Sequence, residues 1–142
     1  MSFAAWDGLG VMTNSTQSPT TVSNIGVAMF TVSDQDAAHA FYTEKLGYEV
    51  RADVAFGGGN RWLEVAPPGS TARLALNPPM NSEPGGSAIG VETADVRAEH
   101  ARLQAIDGVD VDGELMSGPD MPTMFSLRDP DGNHIWVVET PS

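Results

Sequence analysis

Oxygen-bearing side chains alternate near the end of this chain, in the string Asp129-Pro130-Asp131-Gly132-Asn133. Carboxylate and amide oxygens at this spacing could serve as calcium ligands. The long loop and the distant bidentate glutamate of a helix–loop–helix calcium site are absent from the sequence around the string. Proline presets φ, and glycine or asparagine tolerates positive φ, so the string predicts a tight turn between two strands rather than a calcium site.

The three histidines are the other side chains that could bind a metal or transfer protons. His39 and His100 fall inside two predicted helices, and we expect both on solvent-exposed helix faces. His134 lies in a predicted strand, for which Glu92 and Glu64 are the acidic partners that the pattern offers. A rearranged metal site built on His134 is therefore an alternative that the sequence leaves open.

The elements that would position these groups occur twice in the chain. Two sets of residues recur at nearly constant offsets, which indicates two copies of one supersecondary unit. The first set is Asp34 and His39, repeated 61 residues later as Asp95 and His100, and the second is Pro67, Gly69 and Pro78, repeated 63 residues later as Pro130, Gly132 and Pro141. Two such units facing each other would enclose a pocket.

The first copy predicts a strand, a helix and three further strands. Asp34 is expected to cap the helix at its N-terminus, and Gly47 to end it in a left-handed conformation. The sequence does not distinguish the two faces of the third strand, which contains Trp62 and Glu64. The predicted elements are a strand at 25–32, a helix to residue 46, and strands at 48–56, 61–66 and 72–76.

The second copy repeats this order after a cap at Asp95, with a strand at 88–93, a helix to residue 105, and strands near 109–115, at 123–128 and at 134–139. Each copy is therefore βαβββ, and the fold class is α+β, with a helix on one face of each mixed sheet and the other face free. The predicted boundaries are an N-terminal extension at 1–24, a first unit at 25–80, a linker at 81–86 and a second unit at 87–139, the two units forming one domain.

Composition narrows the class of protein. The 142 residues carry a formal net charge of −12, which disfavours nucleic acids and anionic membranes as partners. The absence of cysteine excludes disulfides and thiolate sites. No apolar run reaches the roughly 20 residues of a membrane span, and no basic flank with an apolar stretch marks a secretory signal. We therefore expect a cytoplasmic protein.

Two sequence motifs, one in each predicted unit, resemble those of the vicinal oxygen chelate superfamily. This superfamily includes glyoxalase I, extradiol dioxygenases, fosfomycin-resistance enzymes and bleomycin-resistance proteins. The first motif is the helix segment FYTEKLGYEV at 41–50, which follows Val32-Ser33-Asp34, and the second is RDPDGNHIWVVE at 128–139. The resemblance covers about residues 25–139. It implies two tandem βαβββ units that form a glyoxalase/bleomycin-resistance-type curved sheet with a central cavity, and family analogy predicts a homodimer.

The resemblance also identifies positions at which metal-using members of that superfamily carry ligands. Aligned through the two motifs, these positions are occupied by Val27, Arg73, Ala88 and Trp136. Valine and alanine have no donor atom, tryptophan offers only an N–H, and arginine is a fixed cation. We therefore predict that these degenerate positions bind no metal, and we expect no cofactor.

The alternation of side chains along a strand predicts which residues line the cavity. Ala28, Phe30 and Val32 should pack on a helix, as should Ile135 and Val137. The residues expected to contact a ligand are Met29, Arg73, Glu92, Met124, His134 and Trp136. Aromatic and methionine surfaces with few polar anchors suit planar or irregular organic molecules.

Three functions are compatible with this pattern. The first is a metal-free protein that sequesters a small organic ligand, such as an antibiotic, and its acidic charge and aromatic pocket suit a cationic or aromatic one. The second is a metal-independent isomerase or cyclase, with Arg73 stabilising an oxyanion and His134 or Glu92 as the acid–base group. The third is a metal-dependent lyase or dioxygenase, which requires ligand positions other than those assigned. Whether the protein is an enzyme is left open at this point.

Overall fold

The structure, a computed structural model, describes residues 19–80 and 82–141, so most of the predicted N-terminal extension and residue 81 of the predicted linker lie outside the described residues. The first unit consists of β1 (Val27–Thr31), α1 (Gln35–Ala40) with a π-helical turn after it (Phe41–Lys45), β2 (Glu49–Gly57), β3 (Asn60–Ala66) and β4 (Arg73–Asn77). The second consists of β5 (Ala88–Thr93), α2 (Val96–Gln104), β6 (Asp110–Val111), β7 (Met116–Gly118), β8 (Met121–Arg128) and β9 (His134–Glu139).

The two units form sheets of the same topology. The first sheet has the strand order β1-β4-β3-β2, and the second has β5-β9-β8-β6 with β7 also paired to β8. In each, the first and last strands of the unit are parallel neighbours and the other pairings are antiparallel. The predicted α+β fold class is confirmed. No helix in the described part of the chain is long and apolar enough to cross a membrane.

The single strand predicted near 109–115 is wrong, because the structure has two short strands there, β6 and β7. The backbone between them bonds both to β8, where the Asp112 N–H donates to the Ser126 carbonyl at 3.0 Å, and to side chains of α2. The Asp112 carbonyl lies 2.7 Å from His100 Nε2, and the Gly113 carbonyl accepts a hydrogen bond from Gln104 Nε2. These two bonds satisfy backbone carbonyls of the segment that separates the two short strands.

Both helices begin at the aspartates that the repeat predicts. The side chain of Asp34 accepts a hydrogen bond from the Ala37 N–H, and that of Asp95 accepts one from the Ala98 N–H, each at 3.0 Å. The first helix ends through a wider π turn, in which the Leu46 N–H donates to the Phe41 carbonyl. Gly47 follows at φ 79°, as the left-handed stop requires.

One hydrophobic core is shared by the two units. Phe30 and Val32 of the first unit are buried in the same cluster as Ile135 and Val137 of the second, as strand alternation predicts. Burying each of these side chains contributes about 1.5–3 kcal/mol. The helix-facing sides of both sheets are thereby held together, and the opposite sides are left free of helices.

A buried polar network joins the units at the turn that precedes β9. The Tyr42 hydroxyl donates to Asp129 Oδ2 at 2.9 Å, and Asn133 Nδ2 donates both to Asp129 Oδ2 and to the Thr31 carbonyl at 3.0 Å. Burial raises the pKa of Tyr42, and the neighbouring Asp129 charge raises it further, so the hydroxyl remains a donor. Gly132 has φ 91° and its N–H donates to the Asp129 carbonyl, which confirms the predicted turn.

Candidate functional site

A cavity of about 900 Å³ is lined by residues of β1 and β5, the edge strands of the two sheets. Val27 and Arg73 line it from the first unit, and Gly90 and Glu92 line it from the second. Its volume is within the range of small-molecule sites, about 300–1,000 Å³. The remaining lining is mainly apolar and includes Ile25, Val65, Ile89, Val91 and Val138.

The turn between β3 and β4 forms a further side of the cavity, and all its residues from Pro67 to Ala72 line it. Pro67 and Gly69 match the proline and glycine of the turn before β9 at the 63-residue offset. Three residues then separate Gly69 from Arg73, whereas Asn133 alone separates Gly132 from His134. The first unit therefore has two extra residues at this place.

The shorter turn of the second unit closes the corresponding place at the other end of the interface. Asn133 there is fully buried, its amide donates to the Thr31 carbonyl, and its side-chain oxygen accepts from the Ser87 N–H at 3.3 Å. In the longer turn, Ser70 instead donates to the Ala72 carbonyl of its own loop at 2.7 Å. The cavity thus lies at the end of the interface where the loop is longer.

The two extra residues of the longer turn change which positions of the first unit correspond to which positions of the second. Val27 is in register with Arg73, and Ala88, which follows Val27 by 61 residues, is in register with His134. Trp136 is in register with Gly90, two residues further along each strand. By strand pairing, the counterpart of Arg73 is therefore His134, whereas the 63-residue offset paired Arg73 with Trp136.

Arg73 is held by Glu64, which the sequence offered only as a partner of His134, and Glu64 is in turn held by Trp62. The Arg73 Nε forms an ion pair with Glu64, 2.9 Å from Oε1, and the indole N–H of Trp62 donates a hydrogen bond to Glu64 Oε2 at 3.0 Å. The Glu64 side chain is only 9% exposed and that of Arg73 is 38% exposed. Both carboxylate oxygens of Glu64 are therefore occupied, and the arginine is fixed at one end while its other end reaches the cavity.

Glu92 connects the large cavity to a smaller one of about 230 Å³. Tyr48 lines both cavities, and burial raises its pKa, with the Glu99 charge adding to the effect. Glu99 is paired with Arg102 at 2.7 Å. Arg102 carries the positive charge of the smaller cavity, and Glu99 already neutralises it. No residue of the described chain pairs with the Glu92 carboxylate.

Of the six residues predicted to contact a ligand, Arg73 and Glu92 line the large cavity together. The other four are on the helix-free faces of the sheets and are not part of its lining. Met29 is 56% exposed on the first sheet, and the rings of His134 and Trp136 stack at 6.5 Å on the second. Met124 is on that second face, opposite Val138.

The helix-free face of the second sheet also holds a paired cation. Arg128 bonds to Asp110 and Asp112 at 2.9 and 3.0 Å. The hydrogen bond from Ser126, then that from Arg128, lowers the pKa of Asp112, and the bond from Arg128 lowers the pKa of Asp110. Both carboxylates therefore remain ionised at neutral pH, and they neutralise Arg128 rather than leaving it to bind a ligand.

The residues at the degenerate metal positions do not suit a metal. Val27 and Arg73 are direct neighbours on β1 and β4, and Ala88 and Trp136 are on β5 and β9. An aliphatic side chain has no lone pair, and a guanidinium repels a cation. Within residues 19–80 and 82–141, no group of three His, Asp or Glu side chains is arranged to hold a metal ion.

The prediction that His100 lies on a solvated helix face is wrong. His100 is only 8% exposed, its ring lies 4.7 Å from that of Phe125, and its Nε2 is bonded to the Asp112 carbonyl. The face of α2 that carries it packs on β8, which the sequence of the helix did not reveal. His39, its partner in the repeat, is half-buried.

Two sheets of matching topology, each with a helix on one side, and a mainly apolar cavity between them define a duplicated βαβββ protein. The chain belongs to the Glyoxalase/Bleomycin resistance protein/Dioxygenase superfamily, whose sequence model matches residues 24–137. This finding confirms the family that the two sequence motifs indicated.

Several relatives match most of this chain. The uncharacterized protein YetH of Bacillus subtilis (strain 168) is 33% identical over 121 residues, which cover 83% of this chain and 99% of YetH. TnmS3, an antibiotic binding protein from Streptomyces sp. CB03234, is 34% identical with a TM-score of 0.75, covering 87% of this chain and 100% of TnmS3. A superfamily member from Sphaerobacter thermophilus DSM 20745 is 30% identical with a TM-score of 0.76, covering 85% and 100%.

Sequence reasoning missed Glu64 as the support of Arg73, and it missed the role of the 67–72 loop. All of β3 from Leu63 to Ala66 is buried, so no alternation of polar and apolar residues marked the two faces of this strand. The loop had no usable signal in the sequence, because Pro78 and Pro141 keep the 63-residue offset beyond it. The change to an offset of 61 within the loop is visible only in the strand pairing.

Proposed function

We propose that the protein binds a small organic molecule without a metal, in the cavity between its two units. The observation that carries this proposal is the cavity itself, about 900 Å³ in volume, apolar over most of its lining, with Arg73 and Glu92 as polar points. An apolar site with a few fixed polar groups is the usual arrangement for recognising an organic ligand. Sequestration of an antibiotic is the specific role that we propose.

Two further observations support this role. TnmS3, which is described as an antibiotic binding protein, shares 34% identity and the fold over 87% of this chain. In addition, the motif alignment assigns Val27, Arg73, Ala88 and Trp136 to the superfamily's metal-ligand positions, and none of these side chains is a cation ligand. Strand register makes Ala75 the counterpart of Trp136, and alanine has no donor atom either. Binding alone requires no group to polarise a substrate.

The experiment is a thermal-shift screen of antibiotics and other aromatic natural products, followed by calorimetric titration of each hit. We expect at least one compound to bind once per chain with a micromolar or tighter Kd, since a ligand at 100 times its Kd stabilises the folded state by about 2.7 kcal/mol. The affinity should be unchanged after dialysis against EDTA. A Kd that rises with EDTA and recovers on adding a divalent metal would contradict metal-free binding, and a screen without any hit would contradict the function.

We also propose that the protein is a homodimer. The helix-free face of the first sheet exposes three large apolar side chains, Met29, Val54 and Phe56, at 56%, 61% and 50%. Val54 is in register with Trp62, so this apolar surface is continuous with the residues that support Arg73. Met29 lies on the opposite edge strand of this sheet, and large apolar side chains exposed together, as Val54 and Phe56 are beside Trp62, usually indicate a protein–protein contact.

Light scattering on a size-exclusion column should give twice the mass of one 15.0 kDa chain. The double change Val54→Glu and Phe56→Glu should shift the protein to the monomer, because two unpaired carboxylates would be buried in the contact. Val22→Glu is the matched control, since Val22 is 75% exposed outside both sheets. A monomeric wild type at 50 μM or above, or a double variant that stays dimeric, would rule out this contact.

A further inference from the structure

We infer that the ligand of the large cavity is a zwitterion: an apolar or aromatic molecule that carries an anionic group for Arg73 and a cationic group for Glu92. This inference rests on the proposed function and adds the chemical class of the ligand. Arg73 and Glu92 come from different sheets and line one cavity, with apolar side chains making up most of the rest of its lining.

The guanidinium of Arg73 is built as an anion-binding group. Glu64 occupies its Nε, and no residue of the described chain accepts a hydrogen bond from its two terminal amino groups. Gly26 lies beneath one of them, since a Cβ at that glycine would be 3.9 Å from Nη2. A carboxylate or phosphate can accept two parallel bonds from these two terminal amino groups.

The Glu92 carboxylate is the complementary group. It projects from β5 on the same strand face as Gly90, whose missing side chain leaves open space next to it. Its nearest cation of the smaller cavity, Arg102, is bonded to Glu99 and to the Leu46 carbonyl. An ammonium group on the ligand would supply the partner that the described chain does not give to Glu92.

The charge of the whole chain favours a zwitterion over a simple anion. With a net charge of −12, the protein repels an anion as it approaches, although Arg73 would bind it once it arrived. A zwitterion has no net charge and avoids this cost. A simple cation or a neutral molecule would instead cover Arg73 without bonding to it, and desolvating a charged group without a partner is costly.

The test uses the dipeptide phenylalanyl-phenylalanine as a probe, together with its N-acetyl derivative, its C-terminal amide, and the derivative that has both caps. These four molecules share an apolar body and differ only in which terminal charge they carry. Calorimetric titration should give the uncapped dipeptide a Kd at least tenfold below that of either singly capped form, since a hydrogen bond to a charged group contributes about a factor of 10 to 100. The doubly capped form should bind most weakly.

Two variants assign each charge to its partner. Arg73→Gln should weaken the dipeptide at least tenfold and leave the C-terminal amide within twofold of its wild-type Kd. Glu92→Gln should likewise weaken the dipeptide at least tenfold, and it should leave the N-acetyl form within twofold of its wild-type Kd. Arg97→Gln and Glu114→Gln are matched controls, because both residues are exposed and neither lines the cavity. If Arg73→Gln does not fold, Arg73→Lys takes its place in the experiment. This variant keeps the positive charge and the contact with Glu64, and it should bind the dipeptide with intermediate affinity.

The outcomes separate this inference from the proposed function. If the four probes bind equally well, or if none binds while the antibiotic screen yields a ligand that is indifferent to both substitutions, the zwitterion is wrong and ligand binding stands. If neither the probes nor any compound of the screen binds, the proposed function itself fails.

Discussion

Replacing Gly90 with tryptophan is expected to weaken ligand binding by about a hundredfold or more while leaving the protein folded. Gly90 lines the cavity, and a Cβ built there meets no heavy atom within 4 Å. Its φ is outside the left-handed region, so a larger residue introduces no backbone strain. The indole ring would occupy space that the ligand needs, and a β-strand tolerates an aromatic residue better than a glycine.

The measurement is a titration of the best ligand of the antibiotic screen against a graded series, Gly90→Ala, Gly90→Leu and Gly90→Trp. Affinity should fall in this order, and the thermal midpoint of the ligand-free protein should not fall. Gly113→Trp is the control, because a Cβ at Gly113 also meets nothing within 4 Å but this glycine is outside the cavity. Wild-type affinity in Gly90→Trp would show that the ligand binds elsewhere, for example on the sheet face that carries Met124 and Trp136.

Removing the carboxylate of Asp129 is expected to lower the free energy of unfolding by about 3–5 kcal/mol. Asp129 is 4% exposed and accepts hydrogen bonds from the Tyr42 hydroxyl, the Asn133 amide and the backbone N–H groups of Asp131 and Asn133. Asp129→Ala would leave these donors buried without an acceptor. A loss of this size is a large part of the 5–15 kcal/mol that stabilises a typical domain.

Urea unfolding followed by circular dichroism measures the effect, and Asp120→Ala, in an exposed turn, should change stability by less than about 0.5 kcal/mol. A double-mutant cycle with Tyr42→Phe tests the mechanism. Loss of the Tyr42 hydroxyl should cost clearly less when Asp129 is already alanine, with a coupling energy of about 1–2 kcal/mol. Additive effects would mean that the bond between the two units at this point contributes little.

The sequence predicted those features that depend on neighbouring residues. The caps at Asp34 and Asp95 follow from a side-chain oxygen three residues before the N–H it accepts, and both were found. Strand alternation placed Phe30 and Ile135 in the core, because successive side chains of a strand point to opposite faces. The turn at 129–133 followed from the φ values that its proline and glycine impose.

Features that depend on contacts between distant segments were not predictable. His100 is buried because α2 packs on β8, and nothing in the helix sequence marked that face. Glu64 was assigned no face, although it holds Arg73, because β3 is buried on both sides. The residues predicted to contact a ligand do not all lie together in the structure. Arg73 and Glu92 line the cavity, whereas Met29 and Trp136 are on sheet faces without helices.

The sequence by itself determined the duplicated α+β fold and its superfamily, since repeats and motifs are properties of residue types and their spacing. Only the tertiary structure decided where the cavity lies. The two extra residues after Gly69 keep the 67–72 loop from closing on the second unit, whereas Asn133 closes the equivalent place by bonding to Thr31. Whether a turn closes against the other unit depends on the strand that it contacts, and that strand is distant in the sequence.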